Sequence, residues 1–126
     1  MPIRRHLVLA FIVAAPFCAA TSGIAAPALD CRKAATDVDR EICGSDELKA
    51  MDREIAALYD RGLASFTGED RHRLAQSQVA FVHRREGCSW AAHHSAHPGV
   101  AVEECVRNSM DGRLRTLRSI VDRGRF

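Results

Sequence analysis

The sequence contains no stretch in which apolar and polar residues alternate, so nothing in it predicts a β-strand. Aromatic residues are few, 6% of the 126, and the basic residues do not interleave with them as they do in nucleic-acid-binding proteins. The sequence forces no two carboxylates into one cleft. With its cysteines oxidised, it offers no Ser-His-Asp or Cys-His arrangement. These absences argue against nucleic acid as a partner and against an enzyme.

The first residues are typical of a secretory signal peptide. Arg4 and Arg5 provide a positive start, an apolar run extends from Leu7 to Phe17, and small residues continue through Ala28. The apolar run is too short to serve as a permanent membrane span. We therefore predict a signal peptide over residues 1–28, cleaved between Ala20 and Ala28, and a domain over 29–126 with no membrane anchor. The alternative is an N-terminal helix of the core.

Cleavage would leave four of the five cysteines, because Cys18 departs with the signal peptide. An even number in a small exported domain indicates a disulfide framework. We predict Cys31–Cys43 and Cys88–Cys105, because each pair brackets one short local segment. Each closed loop would stabilise the domain by roughly 3 kcal/mol in the chain-entropy model. Zinc binding is the alternative, but neither pair has the close spacing of structural zinc ligands.

Apolar residues spaced by three and four predict helices along the mature chain. A short helix is expected from Ala34 to Ile42, with Thr36 as its N-cap, and a second helix begins after Ser45. Thr67-Gly68 separates the second helix from a third, which Gly87 ends, and a loop over 89–99 precedes the last helix. The sequence therefore predicts an all-α fold, a small antiparallel bundle of one short and three longer helices stapled by two disulfides.

Charge is unevenly divided along the mature chain. Residues 29–70 carry 11 acidic and 6 basic side chains, whereas residues 71–126 carry 5 acidic and 10 basic ones. One interpretation is that the two halves pack together and their charges complement each other. The other is that the acidic half faces a basic partner, since a field of one sign steers partners of the other.

Polar residues on the inward face of the third helix need partners, because a core stripe does not tolerate them alone. The residues in question are Gln78 and Arg85, and Arg85 could bridge Asp52 or a helix C-terminal carbonyl. Asp52 and Tyr59 share a face of the second helix and could form a hydrogen-bonded pair. We predict a structural polar network rather than a ligand site, made of Asp52, Tyr59, Gln78, Arg85 and Arg113.

Three histidines lie in the irregular segment between the last two cysteines: His93, His94 and His97. If the segment were helical, His93 and His97 would share a face at the spacing that chelates a divalent metal. Pro98 and the expected loop argue against a rigid site. A solvated loop is the preferred interpretation, and metal binding is the alternative.

Taken in order, several of these residues resemble the LprI-like lysozyme-inhibitor domain family of small exported bacterial helical proteins. The resemblance covers nearly all of the mature chain and is carried by Cys31, Cys43, Leu48, Asp52, Tyr59, Gln78-x2-Phe81-x3-Arg85-x2-Cys88, Cys105 and Arg113-x3-Leu117. The chain departs from the family in having Phe81 where Trp is usual, Met110 where an aromatic is usual, and a His-rich insertion before Cys105.

The resemblance implies the same two disulfides and an exported, periplasmic or secreted protein that binds a protein partner of the envelope without a cofactor. Lysozyme is the specific partner that it suggests. Because lysozymes are commonly basic, the contact surface would be acidic residues of the second helix: Asp46, Glu47, Asp52, Glu54 and Asp60. Metal handling through the histidines is the alternative function, and a hydrolase has the least support.

Overall fold

The computed structural model describes residues 27–126, and every regular element in that range is helical. The four α-helices are α1 (Asp37–Gly44), α2 (Asp46–Ser65), α3 (Gly68–Glu86) and α4 (Pro98–Arg123). Short 3-10 helices, Cys31–Lys33 and Gly87–His94, precede α1 and α4. The predicted all-α fold of one short and three longer helices is confirmed. Residues 1–26 of the predicted signal peptide, including Cys18, lie outside the described residues.

Side-chain caps set the starts of the first two helices. Thr36 Oγ1 accepts the N–H of Asp39, whose carboxylate accepts the N–H groups of Ala35 and Thr36. Partial burial raises the pKa of Asp39, but these hydrogen bonds outweigh it and hold that pKa below its ordinary value. Because Thr36 is extended as the N-cap, α1 begins at Asp37 and not at Ala34, where the sequence placed it.

Both predicted disulfides are present, Cys31–Cys43 and Cys88–Cys105. The first joins the opening 3-10 turn to the end of α1. The second joins the 3-10 helix Gly87–His94 to α4. Each bond therefore ties a short, weakly stable element to a neighbouring α-helix.

The predicted loop over 89–99 is wrong except for residues 95–97, which are not helical. The chain continues from α3 into the 3-10 helix as far as His94, and α4 begins at Pro98. Proline suits the first helical position, since its fixed φ is already helical and its missing N–H is not needed there. Pro98 and Gly99 therefore begin a helix, although a loop was predicted there.

The three long helices alternate in direction along the chain. Contacts of α3 with α2 pair Gly62 with Leu74 and Asp52 with Arg85, so these helices are antiparallel. The bonds from Arg113 to Gln78 and from Cys105 to Cys88 show the same for α3 and α4.

Helices α2 and α4 consequently run parallel, and charge pairs link them. Glu47 Oε1 lies 2.5 Å from Arg107 Nη1, and Glu54 Oε1 lies 2.6 Å from Arg118 Nη2. The acidic and basic halves of the chain are thus in contact, as the first interpretation of the charge distribution expected.

The core lies between the three long helices and α1. Its largest fully buried side chains include Phe81, Ile42, Leu48, Ile55, Leu74, Met110 and Leu117. The buried face of α4 is apolar except for one charged residue, Arg113. None of the helices in the described part of the chain has the length and apolarity needed to cross a membrane.

A glycine allows α2 and α3 to approach closely. A Cβ at Gly62 would lie 2.7 Å from Leu74 Cδ2, and Leu74 is fully buried. The glycine Gly112 of α4 has no such restriction, because its nearest neighbour would be 3.9 Å away. Both lie within helices, so both gain equally in helix propensity when replaced by alanine.

We expect Gly112→Ala to raise the free energy of unfolding by up to about 1 kcal/mol. Gly62→Ala should be less stable than Gly112→Ala by about 1–3 kcal/mol, because the added methyl group overpacks the helix contact. Urea unfolding of both variants measures the difference. Equal free energies of unfolding would contradict the close approach.

Candidate functional site

Four of the five residues of the predicted polar network lie in one buried layer across the three long helices, and Tyr59 is not among them. Asp52 comes from α2, Gln78 and Arg85 from α3, and Arg113 from α4. As whole residues, these four are each at most 8% exposed. Together they form the polar layer.

An ion pair forms one side of the polar layer. Arg85 Nη1 donates to Asp52 Oδ1 at 2.9 Å, and both side chains are 10% exposed. The second oxygen, Asp52 Oδ2, accepts the backbone N–H of Leu29 at 2.6 Å. Asp52 therefore joins α3 and the segment before α1 to α2. Arg85 Nε is buried and has no acceptor among the described residues.

The other side of the polar layer holds a cation without a carboxylate. Arg113 donates to Gln78 Oε1 from Nε at 3.0 Å and from Nη2 at 2.8 Å, and Nη2 also donates to Ser77 Oγ at 3.1 Å. Burial, and secondarily the positive charge of Arg84, lower the pKa of Arg113 to about 10. The guanidinium stays protonated at neutral pH, but its charge is balanced only by neutral acceptors.

Phe81 separates the two guanidinium groups. Its ring centroid is 5.4 Å from the Cζ of Arg85 and 5.7 Å from the Cζ of Arg113. At these distances the π-face attracts each cation, and the attraction strengthens when water is excluded. Gln78, Phe81 and Arg85 follow one another at spacings of three and four on α3, so they share one face of this helix over about two turns.

Tyr59 does not join the polar layer through Asp52. The two residues are seven positions apart on α2, about 10 Å along the axis, and the Asp52 oxygens are engaged by Arg85 and Leu29. Tyr59 is 5% exposed, and burial raises the pKa of its phenol. The predicted Asp52–Tyr59 pair is therefore wrong, because i and i+7 share a face without being in reach.

The arrangement is suited to holding helices together rather than to acid–base chemistry. Asp52 is the one carboxylate of the polar layer, and its oxygens are occupied. Each hydrogen bond of the layer joins groups far apart in sequence, so the layer fixes the register of α3 against α2 and α4.

The five acidic residues of the predicted contact surface do not share one environment. Asp52 is buried, which removes it from any contact surface. Glu47 and Glu54 are exposed but paired with arginines of α4. Asp46 is exposed and pairs with Lys49 of its own helix, and Asp60 is exposed. Four of the five therefore remain available at the surface of α2, among basic neighbours.

The three histidines do not converge. His93 and His94 end the 3-10 helix, whereas His97 is the N-cap of α4. The ring of His93 contacts Trp90 edge-on, and His94 Nδ1 lies 3.3 Å from the carbonyl oxygen of Trp90. Across the described residues, no group of three metal-ligating side chains is close enough to hold an ion.

Some contacts of the polar layer were not foreseen from the sequence. Ser77 and the Leu29 N–H both bind layer residues, and Phe81 contacts both arginines. The position of Ser77 beside Gln78 was the one available signal. A backbone N–H cannot be assigned a partner from residue types alone.

The ion pair should behave as a buried one. We expect Asp52→Leu or Arg85→Met alone to lower the free energy of unfolding by about 3–5 kcal/mol, because each leaves a buried charge or donor without its partner. The double variant should lose less than the sum of the two, since no unpaired charge remains. Glu54→Gln removes an exposed pair and should cost at most about 1 kcal/mol.

Chemical denaturation of the four proteins provides the measurement. If the single variants at Asp52 and Arg85 cost no more than Glu54→Gln, the pair does not contribute as a buried one.

Comparison with known proteins agrees with the resemblance noted in the sequence. A family model described as "Lysozyme inhibitor LprI" matches residues 31–117. The matched range begins at the first cysteine of the domain and includes both disulfides, the whole polar layer and most of α4. No curated protein and no solved structure matches the chain. Because the family model covers well over half of the sequence, the chain belongs to the LprI lysozyme inhibitor family.

Proposed function

We propose that this protein is exported to the bacterial envelope and inhibits lysozyme by binding it. The observation that carries the proposal is the family match over residues 31–117, since the family is described as a lysozyme inhibitor. A family of inhibitors acts through protein–protein contact and needs no catalytic residue of its own. The two disulfides support export, because such bonds persist in oxidising compartments.

The proposed contact surface is the exposed acidic side of α2, defined by Asp46, Glu47, Glu54 and Asp60. The side chain of Asp46 is fully exposed, and that of Glu47 is 64% exposed. Carboxylates here would complement a basic enzyme. Arg107 and Arg118 lie beside Glu47 and Glu54, so the local field is weaker than the number of acids suggests. Asp60 forms no ion pair within residues 27–126, and the Asp46 side chain is fully exposed although it pairs with Lys49. We therefore assign the largest share of the charge attraction to these two residues.

An exposed tryptophan offers a second contact of a different kind. Trp90 is 69% exposed and sits on the 3-10 helix that the Cys88–Cys105 bond ties to α4. Tryptophan is enriched among the residues that dominate binding energy at protein interfaces. Because the disulfide holds this 3-10 helix in place, Trp90 would lose less conformational entropy on binding than a residue of a flexible loop.

The oxidised mature protein should protect a lysozyme substrate in a lysis assay. Asp46→Asn combined with Asp60→Asn should weaken inhibition several-fold, and added salt should weaken inhibition by the unaltered protein, because charge attraction contributes to encounter. These two residues are chosen because replacing them leaves the Glu47–Arg107 and Glu54–Arg118 pairs intact.

The matched control is Asp111→Asn combined with Asp122→Asn, which removes two exposed acids from α4 and should leave inhibition unchanged. Equal loss in both double variants would show a general charge effect and remove α2 as the contact surface. If the oxidised protein neither binds lysozyme nor slows lysis, the proposed function itself is wrong.

A further inference from the structure

A groove lies between α3 and α4, and no residue of α2 lines it. Its volume is about 640 Å³, and its lining includes Ser77, Phe81, Arg84, Asn108, Arg113 and Phe126. The Cys88–Cys105 bond forms part of its wall. The groove thus combines two guanidinium groups, neutral hydrogen-bonding groups and two aromatic rings.

Within residues 27–126, the groove has more positive than negative charge. No side-chain carboxylate belongs to the lining, and the one carboxylate there is the terminal group of Phe126. Neither Arg84 nor Arg113 lies within 4.0 Å of any carboxylate of residues 27–126, and the hydrogen bonds of Arg113 go to Gln78 and Ser77. Residues 1–26 contain no Asp or Glu that could supply one. Two cations therefore lie near each other, and the buried one has only neutral acceptors.

Unpaired buried charge is costly in a protein interior, and a bound anion would relieve it. Arg84 and Arg113 line the same groove. Burial, and secondarily the charge of Arg84, lower the pKa of Arg113 to about 10. The hydrogen bonds of Arg113 within the described residues use Nε and Nη2, which leaves Nη1 as a further donor. Arg84 is exposed at the groove and retains its donors.

We propose that this groove binds a small organic anion, with its carboxylate or phosphate group held by Arg84 and Arg113 and its apolar part against Phe81 and Phe126. Guanidinium groups match both anions in geometry and form charge-assisted hydrogen bonds with them. Asn108 is placed to add a neutral hydrogen bond, whereas the Ser77 hydroxyl already donates to the carbonyl oxygen of Leu74. The site is separate from the acidic side of α2 and does not depend on lysozyme binding.

The test is an NMR titration of the oxidised protein with phenyl phosphate, phenylacetate and the neutral benzyl alcohol. Either anion should shift the backbone resonances of the groove residues. The anion with the lower dissociation constant identifies the preferred anionic group. Arg84→Gln should weaken binding about tenfold, the loss of one charge-assisted contact. Arg84 is exposed, so this variant keeps the fold.

The matched control is Arg61→Gln, which removes one exposed arginine from α2 and should leave the dissociation constant unchanged. The proposal is overturned if benzyl alcohol binds as tightly as the anions, or if the Arg84 and Arg61 variants weaken binding equally. It is also overturned if millimolar phenyl phosphate and phenylacetate leave the groove resonances in place.

Discussion

Burial of two arginine side chains is the constraint to which the rest of the bundle conforms. A guanidinium group can leave water only where acceptors are already positioned for it. Arg85 finds Asp52, and Arg113 finds Gln78 and Ser77, while Phe81 lies against both. Because these partners come from three helices, a shift of α3 by one turn would leave both cations unpaired. The polar layer therefore selects one register where apolar packing alone would allow several.

The two disulfides act at the ends of this arrangement. They join the short 3-10 helices to α1 and α4, and the Asp52 carboxylate adds a hydrogen bond to Leu29 near the first of them. In a domain of about 100 residues, the apolar core alone supplies little surplus stability. The disulfides stabilise the two 3-10 helices, and the polar layer stabilises the packing of the three long helices. Both add to the stability that the apolar core supplies.

Much of the fold could be predicted from the sequence because its signals are local. The spacing of Leu48, Ile55 and Leu63 defines the buried face of α2, and the capping residues Thr36 and Ser45 locate helix starts to within a few positions. The segment around Trp90 was misassigned because a 3-10 helix has no distinct apolar period. Proline at a helix start was likewise read as a break.

The site was predictable in its members but not in its pairing. Gln78 and Arg85 were identified as polar residues on an inward helix face. Asp52 was one of the two partners predicted for Arg85. The partners of Arg113 could not be predicted because they are 35 and 36 residues away in sequence. No local sequence pattern indicates such a contact. Likewise, the intramolecular pairs of Glu47 and Glu54 depend on the parallel packing of α4, which sequence alone does not give.

The acidic and basic halves of the sequence contribute to two different surfaces of the molecule. The α2 side presents carboxylates among arginines, and it is the surface that we propose for a large basic partner. The groove between α3 and α4 concentrates positive charge in a small volume and is suited to a small anion. Arg113 belongs both to the polar layer and to the lining of the groove, so the hydrogen bonds of the layer also position one wall of the groove.

The burial of the two arginines can be measured directly through the exchange of their Nε–H and guanidinium protons with water, by NMR of the arginine side chains. The account predicts two slowly exchanging arginines, assigned to Arg85 and Arg113, against a background of fast exchange from the exposed ones. If every arginine side chain exchanges as fast as free arginine, the polar layer does not exist in solution and the register derived from it is wrong.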